Sequence, residues 1–331
     1  MSEMMFVNID RDIREMFEKN VSLCRYAESR PGDLADRSSP YFIDCRMHCH
    51  GHRGELRGLP LLRRLLTDER SFENPLFHLL FRAFTYGEYR FVRTFIPQNS
   101  QEERLTGHLI SELHSALAIA VATFEQESER LYGKRSRLEF HYADMSSNLQ
   151  EGETGADFAL ILHVKLPDRP ESARVAVCQA KKLYWNRKSL HVDAKQLDQL
   201  EDLMRWAKGA AYYCFYDMDP KRLFAPTVMP ASYLKEQVAS KQTDNMKHEN
   251  LLRHYGARPL SVFFIFDMLV AETGGEHFDS LSEASQFLTG HNQELPHHNP
   301  SRVLLVSLGG ATGPEHDLPD FFHLFPPGER D

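Results

Sequence analysis

The sequence has few cysteines, no long apolar run and no excess of positive charge, and each absence argues against a class of protein. The chain has five cysteines in 331 residues, and an odd number without a secretory signal indicates a reducing cytosol rather than a disulfide framework. No apolar run reaches the roughly 18 residues that a membrane span needs. The net charge of −8 argues against a general nucleic-acid coat, which needs many phosphate contacts. We therefore expect a cytoplasmic globular protein with no membrane partner.

The remaining composition is that of an ordinary globular protein, with 42% hydrophobic and 26% charged residues. The length allows one large domain or two moderate ones. Pro97 and Asn99 look like a boundary. The sequence thus predicts a mostly helical N-terminal region, residues 1–98, appended to an α/β domain over residues 99–331.

Two apolar segments of the second region, residues 156–166 and 174–183, read as neighbouring buried strands joined by a polar turn. Asp157 begins the first strand, and Gln179 and Lys181 lie near the end of the second. Strand side chains alternate between faces, so Gln179 and Lys181 project the same way. Antiparallel pairing would bring all three side chains to one edge of the sheet. A carboxylate, an amide and an ammonium group there suit a divalent cation with an activated water.

This pattern resembles the PD-(D/E)xK superfamily of restriction-endonuclease-like proteins, and in particular its Mrr-like branch, whose signature reads GxD…QxK. Here the signature is formed by residues 155–157 (Gly-Ala-Asp) and 179–181 (Gln-Ala-Lys). The resemblance covers residues 99–217 and implies a restriction-endonuclease-like α/β/α core with a central mixed sheet and the element order αβββαβ. The alternative is an α/β domain without a catalytic site here, in which Asp157 caps a turn and Lys181 reaches solvent from a strand end.

The resemblance also implies an activity. Asp157 and Gln179 would bind Mg²⁺ or Mn²⁺, and Lys181 would orient or acidify the attacking water in a phosphodiester hydrolysis. The Mrr-like branch acts on duplex DNA, often in prokaryotic restriction or anti-phage defence, so we expect a DNA endonuclease that could work as a homodimer. An RNA-directed nuclease and a non-catalytic interaction protein on a degenerate nuclease fold are the alternatives.

Further acids near the signature could complete the metal shell. Glu151 lies in the loop before Asp157, and Glu102 and Glu103 lie at the start of an amphipathic helix over residues 100–132. The resemblance implies that an acid on the helix before the first strand, Glu102 or Glu103, approaches the metal, as often in the superfamily. Ser100 and Glu103 also match an S-x-x-E capping box, which explains Glu103 without catalysis and which we favour. Glu151 is equally an ordinary loop acid.

Basic residues follow the signature and could contact nucleic acid. Residues 174–195 hold six bases and one acid, and this local excess lies where a phosphate backbone would run. We assign Lys182, Arg187 and Lys188 to phosphate binding, and Gln196 on the next helix to a water or phosphate contact. A solvated loop with a chance charge run explains the same residues.

A separate Cys/His segment lies in the N-terminal region. Thiolate and imidazole groups suit Zn²⁺, which gives the hypothesis of a structural zinc site. Its candidate ligands are Cys45, His48, Cys49 and His52. Their spacing does not form two separated pairs, and adjacent ligands cannot easily share one tetrahedral centre. A His-rich loop or short strand is the alternative.

Hydrophobic patterns predict the remaining elements of the second region. The predicted strands are residues 137–145, 210–216, 261–269 and 302–308, and the predicted helices are residues 193–207 and 281–288.

Overall fold

The structure is a computed structural model that describes residues 64–144, 156–184, 194–218, 224–239, 257–289 and 300–309, without the side chains of 194–196 and 238–239. Its fold is mixed α/β, built around an eight-stranded mixed sheet. The proposed zinc ligands Cys45, His48, Cys49 and His52 lie outside the described residues.

Two long helices come first. Helix α1 is Pro75–Phe95; Asn74 caps it by accepting a 2.9 Å hydrogen bond from the Leu76 amide, and Pro75 fits the first turn because a helix leaves that N–H unbonded. Helix α2 is Glu102–Tyr132 and ends at Gly133, whose φ of 68° suits a glycine C-cap. The predicted apolar stripe of α2 is buried and comprises Leu105, Leu109, Leu113, Leu117, Ala120 and Phe124.

The stripe places α2 within the core, although the helix is long and apolar enough to cross a membrane by length and composition alone. Helix α1 packs along α2, and at Gly87 the two backbones approach closely. A Cβ at Gly87 would lie 3.1 Å from the Cα of Leu113. Residues 64–98 therefore bury their apolar side chains in the same core as α2 and the sheet.

The sheet contains strands from both ends of the α/β region. Its strands are β1 Leu138–Asp144, β2 Phe158–Val164, β3 Ser172–Leu183, β4 Ala211–Asp217, β5 Thr227–Pro230, β6 Arg258–Pro259, β7 Glu276–Phe278 and β8 Arg302–Leu308. The order is β1-β8-β2-β3-β4-β5-β6, with β7 beside the start of β3. The last strand thus separates β1 from β2, pairing antiparallel with one and parallel with the other.

Four shorter helices complete the described chain: α3 Ala194–Ala207, α4 Ala231–Ala239, α5 Leu260–Val270 and α6 Leu281–Thr289. The even-numbered apolar side chains of β3 and β4 face the core shared with α1, α2 and α5. Their odd-numbered apolar side chains face a second core, shared with α3, α4 and α6. Helices therefore cover both faces of the central strands.

The strand predicted over residues 261–269 is wrong. The segment is helical, with a short α-helical start at Leu260–Val262 followed by the π-helix Phe263–Val270. Every residue from Leu260 to Leu269 is buried. The segment therefore lacks the regular spacing of polar residues that would identify either an amphipathic helix or a half-exposed strand. A short continuous apolar run does not distinguish a buried strand from a buried helix.

Glu88 is a fully buried carboxyl group between α1 and α5. Its Oε1 accepts a 2.6 Å hydrogen bond from the Ser261 amide at the start of α5. Burial raises the pKa of Glu88 from 4.5 to about 8, while the contact with Ser261 lowers it. The folded protein therefore holds a proton at Glu88 over a range in which the unfolded chain releases it.

We predict that this proton makes the free energy of unfolding fall as the pH rises from about 4.5 to 8. The folded-state pKa is raised, so the stabilisation is complete below the unfolded value and is lost through the folded one. Glu88→Gln keeps a neutral acceptor for Ser261 and should flatten this pH dependence. Urea unfolding at pH 5.5 and pH 8.5 measures the difference, and an equal fall in the variant would contradict the assignment.

Candidate functional site

Pairing of β2 with β3 places Asp157 beside Gln179. The antiparallel register sets Phe158 opposite Cys178, so the next pair outward is Asp157 and Gln179. The Asp157 amide donates a 2.9 Å hydrogen bond to the Cys178 carbonyl, one residue before Gln179, so the regular ladder ends at the Phe158–Cys178 pair. Odd-numbered residues of β2 and β3 line the core shared with α3, and the Asp157 and Gln179 side chains are hydrogen-bonded to each other at the end of that face.

The Asp157 carboxylate is buried and held by two donors. Its Oδ2 accepts a 2.7 Å hydrogen bond from the Ala180 amide and a second, short one from Nε2 of Gln179. Burial raises the pKa of Asp157 from 3.8 to about 6; the Ala180 amide and the Lys181 charge lower it, and Glu102 and Glu103 raise it. A negative charge held at this cost favours a bound cation.

Lys181 lies between the strand pair and the start of α2. Its Nζ is 3.9 Å from Oε2 of Glu102, and 15% of its side chain is exposed. Oε1 of Glu102 accepts a 2.9 Å hydrogen bond from the Lys182 amide. The Lys182 ammonium donates in turn to the Ser100 carbonyl, at 2.9 Å. These contacts tie the first turn of α2 to the end of β3 and bring Glu102 to the site.

The predicted capping box is wrong. Helix α2 begins at Glu102, its N-cap residue is Gln101, and no side chain caps it. The neighbouring Glu102 accepts a hydrogen bond from the Lys182 amide on β3, a contact that the sequence does not reveal. Glu103, one of the candidate metal ligands named from the sequence, is exposed, and its charge acts on Asp157 alongside that of Glu102.

Oxygen atoms at the site suit a hard cation. Nε2 of Gln179 also approaches the Ala180 carbonyl oxygen, at 3.4 Å, so a carboxylate, an amide and a peptide oxygen converge there. A turn of the amide group would present its oxygen instead of its nitrogen. Among the described residues no three His, Cys, Asp or Glu side chains form a metal-binding group. The oxygen atoms named above are the ones that could hold Mg²⁺ or Mn²⁺, cations that keep several waters and need few protein ligands.

The structure describes only some of the other predicted site residues. Lys182 lies at the end of β3, with its ammonium on Ser100 and 5.6 Å from the centre of the Tyr184 ring. Gln196 lies in the first turn of α3, and its side chain is not described. Glu151, Arg187 and Lys188 lie outside the described residues.

Neighbouring strands add polar residues that the sequence did not single out. The Ser301 hydroxyl donates a 2.5 Å hydrogen bond to the Asp157 carbonyl. Arg302 follows Ser301 but projects from the opposite face of the sheet, toward α2, where its Nε lies 3.9 Å from Oδ2 of Asp144 at the end of β1. In the sequence these residues are marked only by their position at the start of a predicted strand. That position does not predict that β8 lies beside β2.

No protein-family model, curated protein or solved structure matches the chain. A function is therefore inferred from the site.

We predict that Asp157→Asn raises the thermal stability of the metal-free protein at pH 8. The ionised carboxylate lowers the free energy of unfolding by about 1–3 kcal/mol, because its folded-state pKa lies above the unfolded one. This cost grows as the pH rises from about 4 to 6, so the gain should shrink at pH 4.5. Scanning calorimetry at both pH values measures it. An equal loss of stability at both values would assign Asp157 a purely structural role.

A matched pair of acids tests how α2 is fixed to β3. Glu102→Ala should lower the free energy of unfolding by about 1 kcal/mol, because it leaves the Lys182 amide without its carboxylate acceptor. Glu103→Ala removes the neighbouring charge from the same helix turn and should cost clearly less. Urea unfolding of both variants gives the comparison, and equal losses would show that the Glu102 contact contributes nothing.

Proposed function

We propose that the protein is a divalent-metal-dependent nuclease that hydrolyses phosphodiester bonds, with DNA as the favoured substrate. The observation that carries the proposal is the cluster formed by Asp157, Gln179 and Lys181, with Asp157 held beside Gln179 and Lys181 at the same strand end. The three residues are those of the GxD…QxK pattern, which resembles the Mrr-like branch of the PD-(D/E)xK superfamily.

The order of elements supports a restriction-endonuclease-like core. Helix α2, strands β1 to β3, helix α3 and strand β4 follow one another as αβββαβ. The GxD residues precede β2, and the QxK residues lie in the second half of β3. The sheet differs from a simple meander because β8 lies between β1 and β2. That insertion leaves the β2–β3 pair, on which the cluster depends, intact.

The roles of the residues follow from their surroundings. Asp157 would hold the cation through its carboxylate, with the Gln179 side-chain oxygen and the Ala180 carbonyl as neutral ligands. A bound Mg²⁺ or Mn²⁺ would polarise the phosphate and lower the pKa of its water. Lys181 would orient the attacking water and stabilise its negative charge as it loses a proton. Glu102 keeps the Lys181 ammonium near the carboxylate and adds negative charge beside the cation.

The neutral Gln179 has a further consequence. A shell with an amide in place of a second carboxylate carries one negative charge less, so it should bind the cation more weakly than an acid-rich shell. The substrate class, prokaryotic duplex DNA in restriction or anti-phage defence, follows from the resemblance alone. RNA would be hydrolysed by the same chemistry.

One observation favours a second candidate, a non-catalytic interaction protein on a degenerate nuclease fold. The Gln179 amide donates to Asp157, so the carboxylate is satisfied without a cation. In this case the cluster would be a structural link between β2 and β3, and no cleavage would depend on it.

Cleavage assays with plasmid, linear duplex, single-stranded DNA and RNA test the proposal across divalent metals. Alanine at Asp157 or Lys181 should lower metal-dependent cleavage by about a hundredfold or more, because each removes a group that acts on the attacking water or its metal. Lys165→Ala is the matched control, since this lysine pairs with Glu171 at 2.8 Å, beyond the opposite end of β2. Cleavage that persists in both site variants would refute the assignment.

A further inference from the structure

Tyr213 on β4 is a buried polar residue whose hydroxyl has no evident use in packing. The residue is 3% exposed, and its hydroxyl makes no hydrogen bond to any residue that the structure describes. A tyrosine hydroxyl without a protein partner can donate a hydrogen bond to an external acceptor.

The other two tyrosines of β4 show the usual arrangement. The Tyr212 hydroxyl accepts a 2.9 Å hydrogen bond from the Gly275 amide. The Tyr216 hydroxyl lies 3.0 Å from the Thr106 hydroxyl of α2. Both even-numbered residues face the core beneath α1 and α2. Tyr213 faces the opposite core with Phe215, and of the three hydroxyl groups it is the one without a hydrogen bond to the described part of the chain.

Packing alone would be served by a phenylalanine at position 213. Phe215, two residues on and on the same face, fills its place without a hydroxyl, and the two rings lie 6.0 Å apart at an interplanar angle of 26°. Replacing the Tyr213 hydroxyl with hydrogen would break no hydrogen bond within the described part of the chain and would leave this ring contact in place. The hydroxyl therefore points to a role other than packing.

The position of Tyr213 supplies that role. The parallel register of β3 and β4 sets Tyr213 beside Gln179, and Gln179 lies beside Asp157, so the three residues form one row across the face under α3. A tyrosine phenol is protonated and neutral at physiological pH, which makes it a hydrogen-bond donor and a poor metal ligand.

We propose that the Tyr213 hydroxyl donates a hydrogen bond to a non-bridging phosphate oxygen of a nucleic acid bound at the Asp157–Gln179–Lys181 cluster, an inference that rests on the proposed nuclease function. Phosphate oxygens are strong acceptors, and a phosphate at the cation would lie at one end of this row. A tyrosine hydroxyl is a recognised phosphate donor that carries no sequence preference. Tyr213 would position the backbone and would take no part in proton transfer.

The test compares Tyr213→Phe with Tyr212→Phe, which removes the same atom from the neighbouring residue on the other face. Both are made in the full chain and combined with Lys181→Ala, so that a fluorescent DNA duplex stays intact during anisotropy titration with Mg²⁺. Tyr213→Phe should weaken duplex binding about tenfold, the loss of one hydrogen bond to a charged group, and leave the thermal midpoint of the free protein unchanged. Tyr212→Phe should lower the midpoint and leave duplex binding unchanged.

The possible outcomes distinguish a failure of the Tyr213 role from a failure of the proposed nuclease function. Unchanged duplex affinity in Tyr213→Phe, with binding still lost in Asp157→Ala, would overturn the role of Tyr213 alone. A fall in midpoint as large as that of Tyr212→Phe, without loss of affinity, would make the hydroxyl structural and also overturn it. Absence of metal-dependent duplex binding, together with absence of cleavage by the wild type, would overturn the proposed function and this inference with it.

Discussion

The β2–β3 register is the constraint on which the site depends. Asp157 lies beside Gln179 because Phe158 is opposite Cys178, and a slip of one residue would turn one of the two side chains to the other face. The register is protected by burial, since every residue of β2 is buried and most of β3 is too. Apolar side chains on both faces of these strands therefore fix the place of a few polar ones at the strand ends.

Helix α2 carries the second part of the site, and its position depends on two contacts far apart along its length. Near its start, Glu102 binds the Lys182 amide. Eleven residues further on, Leu113 packs against Gly87 of α1 at a distance that leaves little room for a side chain. The large apolar core beneath α1 and α2 thus holds an acid within reach of Lys181 and Asp157. Packing and site geometry are linked through this one helix.

Periodicity in the sequence predicts most of the described elements correctly. The stripe of α2, the alternation in β1 and the apolar runs of β2 and β3 each correspond to the observed element, with ends that differ by a few residues. Asp157, Gln179 and Lys181 could be grouped from sequence because antiparallel neighbours follow from a short turn. The prediction failed at α5, where uniform burial removes the period, and at the start of α2, where Glu102 finds a partner distant in sequence.

Other parts of the site depend on long-range placement that no local pattern encodes. Ser301 reaches Asp157 because β8, from the far end of the chain, enters the sheet beside β2. Tyr213 is one of three tyrosines in a short aromatic strand, and it differs from the other two only in the residues that surround it. Its neighbour on β3, Gln179, can be identified only from the parallel register of β3 and β4. The positions of these residues depend on the order of the strands in the sheet, and that order is set by contacts along the whole chain.

The central claim is that Asp157 and Gln179 form a cation site. Isothermal titration calorimetry of Mn²⁺ into the wild type and Asp157→Ala at pH 7.5 tests it most directly, because it needs no substrate. We expect one saturable site in the wild type and its loss in the variant, with both proteins folded. Absence of binding in the wild type, or equal binding in both, would contradict the claim.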